Sequence, residues 1–259
     1  MEYNREYSDF LKKSGVENFS QEAHWIAAAA ANDDELQQFL HRRSCGEPLQ
    51  YILGEWDFFG LTLRVGKGVL IPRPETELLV EQALRLVPEN AVVIDLFTGS
   101  GCVPAAIANN KSDVKIFAIE KSEEAVYYAK YNIDKYLLQD KVAVVQADVL
   151  TVVTGAFPKA DIITANPPYV RDDFRDVMQK ELTFEPEMAI FGGEDGLYFY
   201  REVVPKWRER LKPGGMFMFE CGDEQGAAVS DILRENGFRA EVVQDYSRLD
   251  RVVIGEKPI

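Results

Sequence analysis

At 259 residues the chain is long for one simple domain and short for two large ones, which fits one sizeable α/β domain with a small appendage. Its 46% hydrophobic and 28% charged residues place it with globular chains rather than disordered or membrane-embedded ones. Acids outnumber bases 43 to 29, and residues 1–72 and the remainder share the excess, so neither part is a basic module that clamps nucleic acid by neutralising phosphates.

Residues 1–47 read as helices. Asn32-Asp33-Asp34-Glu35 has the form of a capping box, with Glu35 placed to reach back to the Asn32 amide, and Leu36, Phe39 and Leu40 then share one helical face. The longest apolar run, Trp25–Ala31, fits packed helix and falls far short of the ~20 residues that cross a bilayer. From Gly46 to Ile71, glycines punctuate the short runs Trp56–Phe59 and Leu61–Val65, which predicts a β-hairpin connector. Pro74 suits the first position of the next helix, Glu75 and Glu77 favour its positive end, and Leu79, Ala83 and Leu86 give it a buried stripe.

Beyond that helix, strand and helix alternate. Apolar runs at Ala91–Phe97, Lys115–Glu120, Val142–Asp148, Ala160–Asn166 and Met216–Cys221 carry the rhythm of a parallel, doubly wound sheet. Arg239–Tyr246 and Arg251–Gly255 are joined too tightly for a crossover helix and predict an antiparallel hairpin at the sheet edge.

The first of these strands ends in Phe97-Thr98-Gly99-Ser100-Gly101 before a helix. Glycines there let backbone approach a ligand, and the helix N-terminus offers amides to an anionic group. Glu120 ends the next strand about 20 residues on, an offset at which an acid commonly binds ribose hydroxyls. Asp148, with Val149 beside it, ends the third strand at a height where it could meet an adenine amino group; a helix cap is an equally good reading. The loop is neither a dinucleotide fingerprint nor a Walker loop. It resembles the first motif of class I S-adenosylmethionine-dependent methyltransferases, departing at Phe97, where that family usually has glycine. A positive φ there would strain phenylalanine, and Pro104 is tolerable only in the first turn of the following helix.

Asn166-Pro167-Pro168-Tyr169 ends the fourth strand. The prolines supply no donors, so their carbonyls can face a ligand; Asn166 adds a side-chain acceptor and Tyr169 an aromatic wall. Such a site accepts two N–H bonds from one planar NH₂ group. It can aim that nitrogen's lone pair at a methyl group by positioning and electrostatics, with no strong general base. By itself the motif leaves adenine, guanine and glutamine open.

The flanking segments narrow the choice. Gly46–Gly54, Ile71–Glu77, Phe184–Leu197, Met216–Cys221 and Asp245-Tyr246 through Arg251–Gly255 resemble, in order over residues 46–257, the peptide chain release factor glutamine methyltransferases (the PrmC/HemK family). The resemblance implies a Rossmann-like seven-stranded α/β sheet of class I type. It implies a helical substrate-docking subdomain over 1–47, a hairpin linker over 48–72 and a catalytic domain over 73–259. The helical lead before Gly46 is shorter than such relatives usually carry. The implied reaction is methylation of the side-chain amide N5 of the glutamine in the Gly-Gly-Gln motif of class 1 release factors, with S-adenosylmethionine as cofactor. Phe97, Thr98, Gly99, Ser100, Gly101, Glu120, Asp148, Val149 and Asn166 would surround the cofactor. Asn166, Pro167, Pro168 and Tyr169 would bind the glutamine amide, with Asn166 and Pro167 as the catalytic acceptors. Arg73, Glu75 and Glu77 would shape the site mouth or cap their helix.

Two rival readings remain: an amino-methyltransferase acting on adenine or guanine in DNA or RNA, and a non-catalytic binding protein, motivated by Phe97 and Pro104. Cys45, Cys102 and Cys221 with His24 and His41 are poor supply for a metal site, and no metal is expected. His24 and His41 read as surface helix residues, Cys102 as a small loop residue, and Tyr127, Tyr128, Tyr131 and Tyr136 as helix packing. No secretory apolar core opens the chain, so a cytoplasmic protein is expected, with a release factor rather than nucleic acid or membrane as its partner.

Overall fold

Helices α1 (Arg5–Lys13), α2 (Phe19–Ala29) and α3 (Asp33–Ser44) open the computed structural model, which describes residues 5–259. Leu11, Ala23, Ile26, Leu36 and Leu40 recur at helical spacing and are buried together. Asn32 caps α3 by accepting from the Glu35 N–H at 2.9 Å. Glu35 reaches one residue further back than expected: with Asn32 extended, its carboxylate accepts from the Ala31 N–H at 2.6 Å rather than from the Asn32 amide. Arg43 is almost fully buried, and Glu22 and Glu181 neutralise it from two sides at 2.5 Å each. Removing Arg43 from this group would leave the buried Glu22 carboxylate without compensation.

The connector begins with a helical turn that periodicity could not reveal in five residues, α4 (Leu49–Leu53), closed by Gly54 at φ +77°. Strands β1 (Glu55–Phe58) and β2 (Leu61–Arg64) then pair antiparallel through Phe59-Gly60, both at positive φ, as a two-residue type I′ hairpin requires. Glu77 accepts from the Phe59 N–H at 2.8 Å, so it ties this hairpin to α5 (Thr76–Leu86) instead of shaping the site mouth. Tyr136 grips the same hairpin through both the N–H and the carbonyl of Thr62, at 2.7 and 3.0 Å. Helix α5 starts two residues after Pro74. Its lead-in N–H groups at Thr76, Glu77 and Leu78 bond carbonyls three residues back, which places Pro74 in a tighter preceding turn rather than at the first helical position.

The rest is a three-layer α/β structure: β3 (Val92–Leu96), α6 (Cys102–Asn110), β4 (Lys115–Glu120), α7 (Glu123–Lys135), β5 (Val142–Gln146), β6 (Ala160–Ala165), α8 (Tyr198–Trp207), β7 (Leu211–Glu220), α9 (Gly226–Glu235), β8 (Arg239–Gln244) and β9 (Asp250–Glu256). The sheet runs β5-β4-β3-β6-β7-β9-β8, parallel except for β9, which pairs antiparallel with both β7 and β8. Strand β7 starts five residues earlier than its apolar run, through Pro213-Gly214-Gly215, beside a register shift against β6. The order in which strands are added to the sheet reverses at β3, with β4 on one side and β6 on the other. Ligands bind open α/β sheets in the crevice beyond the strand ends at such a switch point. Both the glycine loop after β3 and Asn166-Pro167-Pro168-Tyr169 after β6 open there.

Candidate active site

Glycine-loop geometry begins with an acid inside an apolar strand. Asp95, almost fully buried in β3, accepts from the hydroxyls of Thr98 and, at 2.6 Å, Thr164. Burial pushes its carboxyl up to about 7, against the lowering effect of the two hydroxyls. Phe97, Gly99 and Gly101 all have positive φ, at 60°, 54° and 78°. The position where glycine is usual therefore does demand the left-handed region, and Phe97 occupies it with its ring edge-on to Phe199 at 5.2 Å. Gly101 caps α6 so close to α7 that a Cβ would lie 3.2 Å from the Ala129 Cα. Pro104 is the third residue of α6, within the first turn, where its missing N–H leaves no helical bond unmade.

Two further acids frame the cavity above this loop. At the tip of β4, Glu120 accepts from the Gly99 N–H at 2.9 Å with one oxygen and from the Lys121 and Ser122 N–H groups at 2.8 Å with the other. Asp148 accepts from the Leu150 N–H at 2.8 Å and pairs with Lys121 at 3.0 Å. Partial burial would raise its pKa, but those two partners outweigh it and hold the carboxyl below its usual range. Val149, Leu150, Ile119 and Phe199 supply apolar walls. Among the described residues the buried Ser100 hydroxyl has no fully formed hydrogen bond, only the Cys102 thiol beside it. Carboxylate acceptors at adjacent strand tips, apolar walls between them and an under-bonded hydroxyl over a helix start fit the nucleoside and amino-acid ends of S-adenosylmethionine.

Asn166 closes the other side of this cavity. Its Nδ2 donates to the Thr76 hydroxyl at 3.1 Å, which leaves Oδ1 as an acceptor. The Pro167 and Pro168 carbonyls accept no hydrogen bond from the described residues. The Tyr169 carbonyl does: Gln225 Nε2 donates to it at 3.0 Å, while Gln225 Oε1 accepts from the Gly222 N–H. Gly196 passes so near that a Cβ would sit 2.2 Å from the same carbonyl. The Tyr169 hydroxyl donates to buried Glu220 at 3.2 Å. Burial, and then the charge of Glu220, raise the phenol well above its usual range.

Phe97, Thr98, Gly99, Ser100, Glu120, Asp148, Val149, Asn166 and Pro168 thus meet around one cavity, while Gly101, Pro167 and Tyr169 stand outside its lining and support it. Thr76, Asp95, Gln225 and Glu220 also act here, with no role assigned to them from the sequence, although Thr76 and Glu220 fall within Ile71–Glu77 and Met216–Cys221; an acid at or next to the end of an apolar strand, as in β7 and β3, is the available signal for two of them. Arg73 pairs with buried Glu185 at 2.5 Å, and Glu185 also accepts from the Ile71 N–H at 2.9 Å, fastening the segment after Asn166-Pro167-Pro168-Tyr169 beside the cavity. Glu75 is exposed. Burial pushes the Cys102 thiol up to about 12, which keeps it protonated. Tyr127 and Tyr131 lie on the surface against the Arg64 guanidinium instead of packing inside. His24 and His41 are exposed. Among the described residues no cluster of His, Cys, Asp or Glu is arranged to hold a metal, and no helix is long and apolar enough to cross a membrane.

Comparison with known proteins bears on the same site. Residues 74–184 match the family described as Methyltransferase small domain. A release factor glutamine methyltransferase of Thermodesulfovibrio yellowstonii is 43% identical over 233 residues, covering 86% of this chain and 81% of its own. One from Geobacter sulfurreducens is 35% identical over 266 residues, covering 95% and 92%. Among solved structures, a methyltransferase from Pyrococcus furiosus shares the fold with a TM-score of 0.59 at 19% identity, over 78% of this chain and 91% of its own.

Proposed function

The chain belongs to the release factor glutamine methyltransferase family, and we propose that it methylates the side-chain amide nitrogen of the glutamine in the Gly-Gly-Gln motif of class 1 release factors. The observation that carries this reading is Asn166 on the wall of the glycine-loop cavity with Oδ1 left as an acceptor, followed in the chain by a Pro167 carbonyl that accepts from no described residue. S-adenosylmethionine, the methyl donor of this family, supplies an electrophilic methyl on a sulfonium sulfur. Glu120 and Asp148 would hold its hydroxyl and amino groups, Val149 and Phe97 its apolar faces, and Thr98 through Gly101 its amino-acid end.

Asn166 Oδ1 and the Pro167 carbonyl would accept the two hydrogens of the substrate amide. An amide nitrogen is a poor nucleophile because its lone pair is delocalised. Two fixed acceptors favour a pyramidal nitrogen and hold it in line, so the rate comes from orientation and preorganised dipoles. Transfer of that methyl to the amide, with the sulfonium sulfur keeping the bond's electron pair, would develop positive charge at nitrogen. The same acceptors stabilise that charge until the proton leaves to solvent.

Helices α1–α3 form the proposed docking subdomain for the protein substrate. In support, Arg43 of α3 is tied to Glu181, in the segment that follows Asn166-Pro167-Pro168-Tyr169. With a translation factor as substrate, the reaction is assigned to the cytoplasm. The test is incubation with labelled S-adenosylmethionine and, separately, a release factor, its Gly-Gly-Gln→Gly-Gly-Ala variant, DNA and RNA. Label on the release factor alone supports the reading. Label that persists on the variant, or appears only on nucleic acid, refutes it.

A further inference from the structure

Glu220 closes an apolar strand, is fully buried, and has no part in the mechanism above. Carboxylates are rarely buried unless they serve a partner. This one meets the Asn166-Pro167-Pro168-Tyr169 segment at two points. One oxygen accepts from Tyr169, at 3.2 Å. The Thr76 hydroxyl is near enough to act on the carboxylate but makes no fully formed hydrogen bond to it, and among the described residues Oε2 has no partner. Thr76, itself buried, accepts from Asn166 Nδ2 at 3.1 Å. The other charged groups facing Glu220 are Arg251, which is paired with Asp245 at 3.4 Å, and Glu75.

Polarity gives this chain a direction. Burial pushes the Glu220 carboxyl up to about 7; above that pH it is ionised and only accepts, and a hydroxyl has one hydrogen to give. With that hydrogen turned to Glu220, Thr76 can only accept from Asn166. The asparagine must then point its NH₂ at Thr76 and its Oδ1 the other way. The two flip states of an asparagine amide are nearly isosteric, so packing cannot choose between them; hydrogen-bond polarity can. In the reversed state, Asn166 would present N–H to the N–H of a substrate amide.

Resting on the release-factor reading, we propose that Thr76 and Glu220 are positioning residues that lock the Asn166 amide with its oxygen presented to the substrate nitrogen. Glu220 lies outside the cavity lining and Thr76 lines it beside Asn166; both act through the Asn166 amide. They decide whether the site recognises a hydrogen-bond donor.

The experiment uses the full chain with Thr76→Val, Thr76→Ser and Glu220→Gln. It measures kcat and KM for methyl transfer to a release factor, cofactor affinity by calorimetry, and hydrogen exchange of the Asn166 side-chain amide in ¹⁵N-labelled protein without cofactor. Thr76→Val is expected to lower kcat on the order of 100-fold, as misorientation of a reacting group does. Cofactor affinity should stay close to wild type, and the Asn166 amide protons should exchange faster. Thr76→Ser keeps the hydroxyl and restores both turnover and slow exchange. Glu220→Gln, whose amide can donate to Thr76, should lower kcat in the same way and serves if Thr76→Val does not fold. Wild-type turnover in Thr76→Val or Glu220→Gln, or no rescue by serine, overturns the positioning role and leaves the functional reading standing. Absence of transfer by the wild type overturns the functional reading and the substrate-facing role together. The exchange measurement needs no substrate and separately refutes the Thr76 lock if Thr76→Val leaves it unchanged.

Discussion

Phe97 holds a backbone conformation that its side chain disfavours, and a pair of variants can read that strain directly. Phe97→Ala and Phe97→Gly both remove the ring and its edge-on contact with Phe199, so their difference reports the backbone alone. At φ +60° a residue with a Cβ lies in the left-handed region, at a cost of roughly 1–2 kcal/mol that glycine escapes. Glycine gives back about 0.4–1 kcal/mol through its freer unfolded chain. The difference spans roughly 0–1.6 kcal/mol and centres on a glycine variant more stable by about 0.8 kcal/mol. For a chain of this length that is roughly 1–4 °C in melting temperature. Thermal unfolding of the two ligand-free proteins, side by side, measures it. At an ordinary helical or extended position the order would reverse, with alanine the more stable. An alanine variant that melts above the glycine variant would refute the claim that the loop requires positive φ here.

Asn166→Ala should lower methyl transfer by about 100- to 1000-fold, the usual consequence of losing one preorganised polar group, while calorimetry finds cofactor binding little changed; retained turnover would contradict its acceptor role. Glu120→Ala should weaken S-adenosylmethionine binding by roughly 10- to 100-fold, the worth of one charge-assisted hydrogen bond, read by the same calorimetry. Stability should depend on Asp95. Its folded pKa of about 7 lies above the unfolded 3.8, so between about pH 4 and pH 7 the folded state keeps a proton that the unfolded chain has lost. The folded state is favoured below that window and loses on the order of 4 kcal/mol as pH rises through it. Urea titrations at several pH values should show a shallower loss for Asp95→Asn than for wild type, and parallel curves would count against the assignment.

Local chemistry was enough to place most of the chain. Alternating apolar runs mark the strands, because a sheet buried on both faces needs continuous apolar sequence. The runs Trp56–Phe59 and Leu61–Val65 marked the hairpin, although its two-residue turn takes Phe59 out of the first run and pairs it with Gly60. Phe97-Thr98-Gly99-Ser100-Gly101, Glu120 and Asn166-Pro167-Pro168-Tyr169 announced a nucleoside pocket and an amide acceptor before any contact was known. The acidic balance and the flanking motifs pointed away from nucleic acid and toward a protein glutamine. What sequence could not settle is where a group goes when several partners compete for it. Glu77 looked like a site or cap residue, and only packing of the hairpin against α5 assigned it to the Phe59 N–H. Tyr169 sits in the signature segment, yet its hydroxyl turns to Glu220, 51 residues away in sequence. Thr76 and Glu220 lie 144 positions apart and carry no motif linking them to Asn166. Their meeting depends on α5 packing against the ends of β6 and β7. Spacing along a chain specifies which groups one strand or turn presents; which lone pair faces which hydrogen is decided only when separate elements close on one another.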